Sequence, residues 1–461
     1  MSVVQGPALR RELGLWGAAA IVVGTVIGSG IFLVPRSMVM RVGSPETVFL
    51  VWIFGGFLTL FGALTYAELA AAMPEAGGEY VYLREAYGPF FGFLYGWTQT
   101  WVAKSASIAT LATGFYLYLA NFFPSLENVI AVLPVPIGPQ WGPLEIRAGQ
   151  LFAMGLIMAL SGLNYFGVRL GGRVQVAVTV AKVFAISAIV LVGLLAGDGT
   201  TANFGTSVPA NPGGFAGFFA ALVAALWAYD GWNNVNMVAS EIKNPQKNLP
   251  LALIGGTLLV MVIYLAANFA YFYVLPAESV ASSERVASAM MLRVVGPKGA
   301  AVVSVAALIS IFAALNGSIL SGSRVPYALA RDGFFFRPYA WVSEKYRTPG
   351  ISLILLGAWS AILVLSGRYD DLYNLVIFPS WILYAMAAAS VIVLRYRRPD
   401  LVRPYRTLGY PVVPALFVGV AVVLLWSTLS NENSRREALL GLGIIAAGIP
   451  FYWYWSRRAI R

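Results

Sequence analysis

The feature that most constrains this chain is its string of long apolar stretches separated by short polar connections. Twelve of them are long enough to cross about 30 Å of hydrocarbon as helices of roughly 20 residues. They run over about 14–35, 46–72, 89–120, 147–166, 173–196, 214–238, 250–275, 299–330, 350–366, 371–395, 410–429 and 437–456. Composition points the same way. Of 461 residues, 59% are hydrophobic and only 11% charged, whereas a soluble domain carries about 25% charge. That is too little charge to coat a water-soluble protein of this size. The expected fold class is an all-α membrane protein with 12 transmembrane helices.

Residue usage limits the chemistry. Histidine and cysteine are both absent. This removes the commonest general base and metal ligand, the soft ligands of zinc and iron–sulfur sites, and any disulfide. No GxSxG, HExxH or Walker-type loop occurs, which argues against a membrane hydrolase or an ATP-driven pump. An enzyme is therefore not expected, nor a metal or cofactor. The net charge of +11 raises nucleic acid as a partner, but in a membrane chain excess Lys/Arg marks the cytoplasmic loops. An even number of spans puts both termini on one side. Twenty of the 31 Lys/Arg fall in loops on that side, among them Arg10, Arg11, Lys243, Lys247 and the run Arg395–Arg406, against nine opposite. The bias places both termini in the cytoplasm of a multi-pass protein of the cell's inner membrane.

Two spans are interrupted in corresponding ways. In the first, Gly24-Thr25-Val26-Ile27-Gly28-Ser29-Gly30-Ile31-Phe32 sets three glycines near mid-membrane; in the sixth, Trp227-Ala228-Tyr229-Asp230-Gly231-Trp232-Asn233-Asn234 sets a carboxylate, a glycine and two amides at similar depth. Five spans separate the breaks, so a five-span repeat would be inverted relative to its copy, the pattern of a transporter with a central site between broken helices. The Gly24/Gly28 spacing also suits simple close helix packing, but the third glycine beside Ser29 favours unwinding. An unwound segment exposes amides and a helix N-terminus suited to a carboxylate. Asp230 is costly in an apolar span and hence a functional candidate; the plain alternative pairs it with Lys104 or Lys182. Carbonyls freed at Ala228 to Gly231 would accept bonds from an ammonium, with Trp227 and Tyr229 as an aromatic wall. Lys182 lies roughly 13 Å into span five, too deep for easy snorkelling, and its ammonium fits a role beside the first break in place of a coupling sodium ion. Lys104 divides evenly between site and structure. Glu68 reads as a gate or loop anchor, and Asn316 as interhelical glue or scaffold support.

These residues belong to a longer set of matches. They include Gly24 to Phe32, Tyr66-Ala67-Glu68-Leu69, Gly77-Gly78-Glu79-Tyr80 and Trp227 to Asn233. Glu241-Ile242-Lys243-Asn244-Pro245, Asn248-Leu249-Pro250, Asn316-Gly317-Ser318, Ser323-Arg324, Arg395 to Pro399 and Arg403-Pro404 follow. In this order they resemble the amino acid–polyamine–organocation (APC) superfamily, and within it the L-type amino acid transporters (light chains of heteromeric transporters and their bacterial relatives). The resemblance implies a LeuT-like fold: one transporter domain over 1–461, with inverted repeats about 14–196 and 214–395, two extra helices about 410–456, and helices one and six broken around Gly28 and Gly231. It implies a substrate carboxylate at Ser29, Gly30 and Ile31, and an α-amine at carbonyls matching Ile27, Trp227 and Tyr229 or Asp230. Trp381 matches an aromatic near the side-chain pocket, and Lys182 the span-five lysine of sodium-independent members; Ala313 and Ala314 stand where sodium-coupled relatives carry hydroxyls. Two departures matter. The cysteine that joins light chains to a heavy subunit is missing, which leaves a monomer or loose homo-oligomer, and Asp230 replaces a glycine of large-neutral-substrate members, as in the branch that also accepts dibasic amino acids. The expected function is a sodium-independent exchanger of neutral L-amino acids, with Asp230 the residue that would admit cationic ones. The alternatives are a proton-coupled symporter using Lys182 and a non-transporting amino acid sensor.

Overall fold

Helix boundaries follow local chemistry. The computed structural model describes residues 8–133, 144–197, 199–365, 369–430 and 432–459. Its first apolar stretch splits into α1 (Leu15–Val26) and α2 (Gly30–Val42), which meet at a bend of 40°. Gly43, at φ 83°, ends α2, because a left-handed residue closes a helix at little cost only as glycine. Ser44 then caps α3 (Pro45–Ala72), its hydroxyl accepting from the Thr47 amide at 3.3 Å, with Pro45 in the first turn; both residues suit a helix start. Next come α4 (Glu79–Tyr87) and α5 (Pro89–Thr98), a π-helical turn over Gln99–Ala103, and α6 (Lys104–Leu119).

Strands β1 (Val129–Leu133) and β2 (Leu144–Arg147) pair antiparallel before α7 (Ala148–Tyr165) and α8 (Val168–Leu195). The sixth apolar stretch is α9 (Gly214–Ala228), a non-helical turn and the short α10 (Asn234–Met237). The remainder is α11 (Pro245–Val274), α12 (Ala277–Ser282), α13 (Val286–Val295), α14 (Pro297–Gly322), α15 (Arg324–Arg331), α16 (Gly350–Val364), α17 (Tyr369–Arg397), α18 (Val412–Ser430) and α19 (Glu432–Ala459).

Among the described residues, seven helical stretches are long and apolar enough to cross a membrane, eight if α1 and α2 count as one span. The four other apolar stretches of the sequence coincide with α5–α6, α7, α9–α10 and α16. Large apolar side chains stand uncovered on outer faces, including Phe184 (75% exposed), Leu195 (79%), Val262 (64%) and Trp426 (64%). Such faces have no place in water and fit a multi-pass membrane protein. At the centre, α1 packs against α8, α11 and α14, α2 against α9, and α6 against α14; α18 and α19 lie outside, on α17.

Charged contacts tie the helix ends together. Arg324 and Glu241, both wholly buried, form a bidentate pair at 2.7 and 3.0 Å. The Glu241 carbonyl accepts from the amides of Glu12 and Leu13, so the segment before α1 pairs as a parallel bridge with Ile242.

Candidate functional site

Between the two interruptions lies a small pocket. Thr25, Val26, Gly28, Ser29, Gly30, Trp227, Ala228, Asp230, Gly231 and Asn234 line it from the breaks, and Ser107, Leu111 and Ser318 from α6 and α14. Glycine makes the convergence possible. A Cβ on Gly30 would sit 2.7 Å from Ala228 Cβ, and Gly231, at φ 99°, would press a Cβ to 3.2 Å from Thr25. The N-terminus of α2 therefore abuts the C-terminus of α9 backbone to backbone. The first amides of a helix have no intrahelical partner and carry partial positive charge, and at Gly30 and Ile31 they begin at the pocket wall.

The carbonyl ends are more occupied than the sequence suggests. The Tyr264 hydroxyl lies 2.9 Å from the Val26 carbonyl and 2.8 Å from that of Ala228, so one α11 side chain bridges the ends of α1 and α9. Thr25 Oγ1 donates to Gly231 O at 2.8 Å. Lys182 Nζ, fully buried, donates to the carbonyls of Gly24 (2.7 Å) and Ile27 (2.5 Å), and Ser310 Oγ donates to Ile27 as well at 2.8 Å. The ammonium thus satisfies two backbone carbonyls beside the bend between α1 and α2. Ala313 and Ala314 add no hydroxyl there, whereas Ser310 does.

Asp230 pairs with neither lysine. Its Oδ1 accepts from the Tyr384 hydroxyl at 2.9 Å. Lys104 donates to Asn234 Oδ1 at 2.6 Å. Tyr229 points away from the pocket: it stacks edge-on against Trp52, and its hydroxyl donates to the Trp52 carbonyl at 3.3 Å. Trp227 lines the pocket, and its carbonyl accepts from the Asp230 amide. Trp381 lies elsewhere. It stacks on Phe417 with ring centres 5.5 Å apart and lines a separate, larger cavity with Arg41, Phe219 and Leu424. Its ring centre is 6.1 Å from that of Tyr384, which bonds Asp230.

Three predicted residues serve the frame. Asn316 joins Asn164 and Gln175 at 2.8 Å each, linking α7, α8 and α14. Glu68 holds Arg395 bidentately at 3.0 and 2.7 Å and accepts from the Thr407 amide, tying α3 to the end of α17 and the loop beyond. Gly28 leaves ordinary room, its Cβ position being 3.4 Å from Leu111 and 3.5 Å from Ala314.

Residues the sequence reading did not place at the site include Tyr264, Ser310, Ser107, Ser318, Tyr384 and Glu79. Glu79, on the short non-spanning helix α4, is fully buried and accepts from the Tyr95 hydroxyl at 3.0 Å and from Asn233 Nδ2. Burial pushes its carboxyl up to about 6, the bonds from Asn233 and Tyr95 opposing. Its motif, Gly77-Gly78-Glu79-Tyr80, was the available signal. Nothing in the spacing connects that motif to Asn233, 154 residues away.

Comparison with known proteins places this geometry in context. A family model described as amino acid permease matches residues 13–448. The serine/threonine exchanger SteT of Bacillus subtilis (strain 168) is 34% identical over 456 residues, covering 98% of each chain. The human b(0,+)-type amino acid transporter 1 is 32% identical over 97% of this chain and 88% of its own. The human cystine/glutamate transporter is 30% identical over 96% of this chain and 85% of its own.

Proposed function

From the premise that the chain belongs to the amino acid permease family of the APC superfamily, we propose that it is a sodium-independent exchanger of L-amino acids working by alternating access. The observation that carries this reading is the pocket at the junction of α1/α2 with α9/α10, which offers a helix N-terminus on one side and Asp230 with the ends of two broken helices on the other. The α-carboxylate meets the amides of Ser29, Gly30 and Ile31. The α-amine meets carbonyls at the ends of α1 and α9, with Asp230 close by. Substrates are neutral amino acids, and Asp230 is the residue to examine for cationic ones.

Several features support the wider reading. The α1–α2 and α9–α10 pairs are taken as broken spans one and six of twelve, in two inverted five-span repeats followed by α18 and α19. The termini lie in the cytoplasm, the side favoured by the excess of Lys/Arg. With no cysteine in the chain, no disulfide joins it to a heavy subunit. The exchange relatives and the ammonium of Lys182 on Gly24 and Ile27 both weigh for sodium-independent exchange over coupling to an ion gradient.

The test is uptake of labelled alanine, serine, leucine and arginine into proteoliposomes, with the lumen empty or loaded with unlabelled amino acid, and with sodium replaced by choline. Uptake that needs a loaded lumen and ignores the sodium replacement is expected. Uptake into empty vesicles driven by an inward proton gradient would replace the exchanger with a symporter, and binding without flux would make the protein a sensor.

A further inference from the structure

Resting on the exchanger reading, we propose that Asn234, Ser107 and Ser318 form a side-chain subsite that selects small amino acids bearing a hydroxyl, and that Lys104 positions Asn234 for it. All three line the pocket and are more than nine-tenths buried, at 1%, 6% and 3% exposed. Buried polar atoms normally have partners. Yet among the described residues neither hydroxyl nor the Asn234 side-chain nitrogen has a hydrogen-bond partner, and none of the three atoms is sealed away from the pocket.

The register of α6 against α14 sets the two serines at the same level of the pocket. Lys104 packs its stem where a Cβ of Gly322 would stand, and Leu111 and Ala314 flank Gly28 together. Running antiparallel between those two contacts, the helices bring Ser107 opposite Ser318. On α6, Lys104, Ser107 and Leu111 share one face at helical spacing.

Lys104 decides which way Asn234 points. An ammonium can only donate, so the Asn234 atom it bonds at 2.6 Å is the oxygen. The Nδ2 donor is thereby turned toward the pocket. A substrate hydroxyl accepts from this amide and donates to Ser107 or Ser318, satisfying both sides. A methyl in the same volume leaves the amide unpaired. A site built to bond a hydroxyl discriminates against the isostere lacking it far more strongly than an apolar pocket discriminates by a methylene.

Threonine and valine differ by that one group. The experiment is competition against labelled alanine exchange in proteoliposomes by serine, threonine, alanine and valine. Threonine is expected to compete at least tenfold better than valine. Two variants locate the effect, each first checked for a cooperative melt. One is Ser107→Ala with Ser318→Ala. The other is Asn234→Ala with Lys104→Met, which removes the ammonium and its acceptor together. In both, the threonine-to-valine ratio is expected to fall toward one, whatever the absolute rate. Equal competition by threonine and valine in the wild type, or a ratio unmoved in both variants, overturns the subsite while alanine exchange upholds the exchanger reading. Absence of exchange with every amino acid overturns both.

Discussion

Gly30 is where α2 meets the end of α9, so Gly30→Ala tests the arrangement most directly. The added methyl would lie 2.7 Å from Ala228 Cβ and 2.8 Å from its Cα. Carbon atoms settle at about 3.5–4.0 Å, so α2 and α9 must part by about 1 Å. One of the two atoms is backbone, and no side-chain rotation relieves it. Overpacking of this kind costs about 1–3 kcal/mol, which a chain with such an extensive core survives. Function is more sensitive. A misplacement of about 1 Å between positioned groups lowers a rate by about 10²-fold, and here it moves the α2 amides relative to the α9 carbonyl end. Gly28→Ala is the control, since its methyl meets Leu111 and Ala314 at ordinary contact distances of 3.4 and 3.5 Å. Melting in detergent and amino acid counterflow in proteoliposomes are measured on both. The expectation is a folded Gly30→Ala protein with counterflow down about a hundredfold, and a Gly28→Ala protein reduced far less. Wild-type counterflow in Gly30→Ala would show that the two backbones do not meet as described.

Lys182→Met removes the donor from the Gly24 carbonyl while Ile27 keeps Ser310; one orphaned buried carbonyl costs about 1–3 kcal/mol, so a lower melting temperature and loss of exchange are expected together. Arg324→Met leaves the Glu241 carboxylate buried and unpaired, a loss of about 3–5 kcal/mol. Pairing it with Glu241→Gln is expected to restore most of the folded yield on size exclusion, and a double variant no better than the single would refute the pair as the cause. Glu79 gives a pH signature. Its carboxyl is raised from 4.5 to about 6, so the fold favours the protonated form. Its share of stability is therefore fully present below pH 4.5 and lost as pH rises through 6, a change of about 2 kcal/mol. Glu79→Gln is expected to flatten that part of the melting-temperature profile between pH 4.5 and 7, and an unchanged profile would count against it.

The apolar stretches, the excess of Lys/Arg on one set of loops and the glycines at Gly28, Gly30 and Gly231 were all legible in the chain itself. Length and apolarity alone decide whether a segment can satisfy its backbone inside hydrocarbon, and a left-handed or crowded backbone position needs glycine whatever packs nearby. The π-helical turn before Lys104 carried no such mark, because it differs from the helix around it by a single residue in register.

Partnership was a different matter. From sequence, Asp230 had two lysines as equal candidates; in the structure it bonds Tyr384, Lys104 bonds Asn234, and Lys182 bonds backbone. Tyr264 and Ser310 looked like ordinary residues of apolar helices until they were found on the carbonyls of the breaks. Trp381 lines a different cavity, although it stands one turn of α17 from Tyr384, which bonds Asp230. Hydrogen bonds reach about 3 Å, and which side chains come within that reach depends on how helices distant in sequence are rotated and set against each other. The residues' own types settled that this protein lives in a membrane; only the packing of α6, α8, α11, α14 and α17 decided which groups meet the backbone between α1 and α2 and after α9.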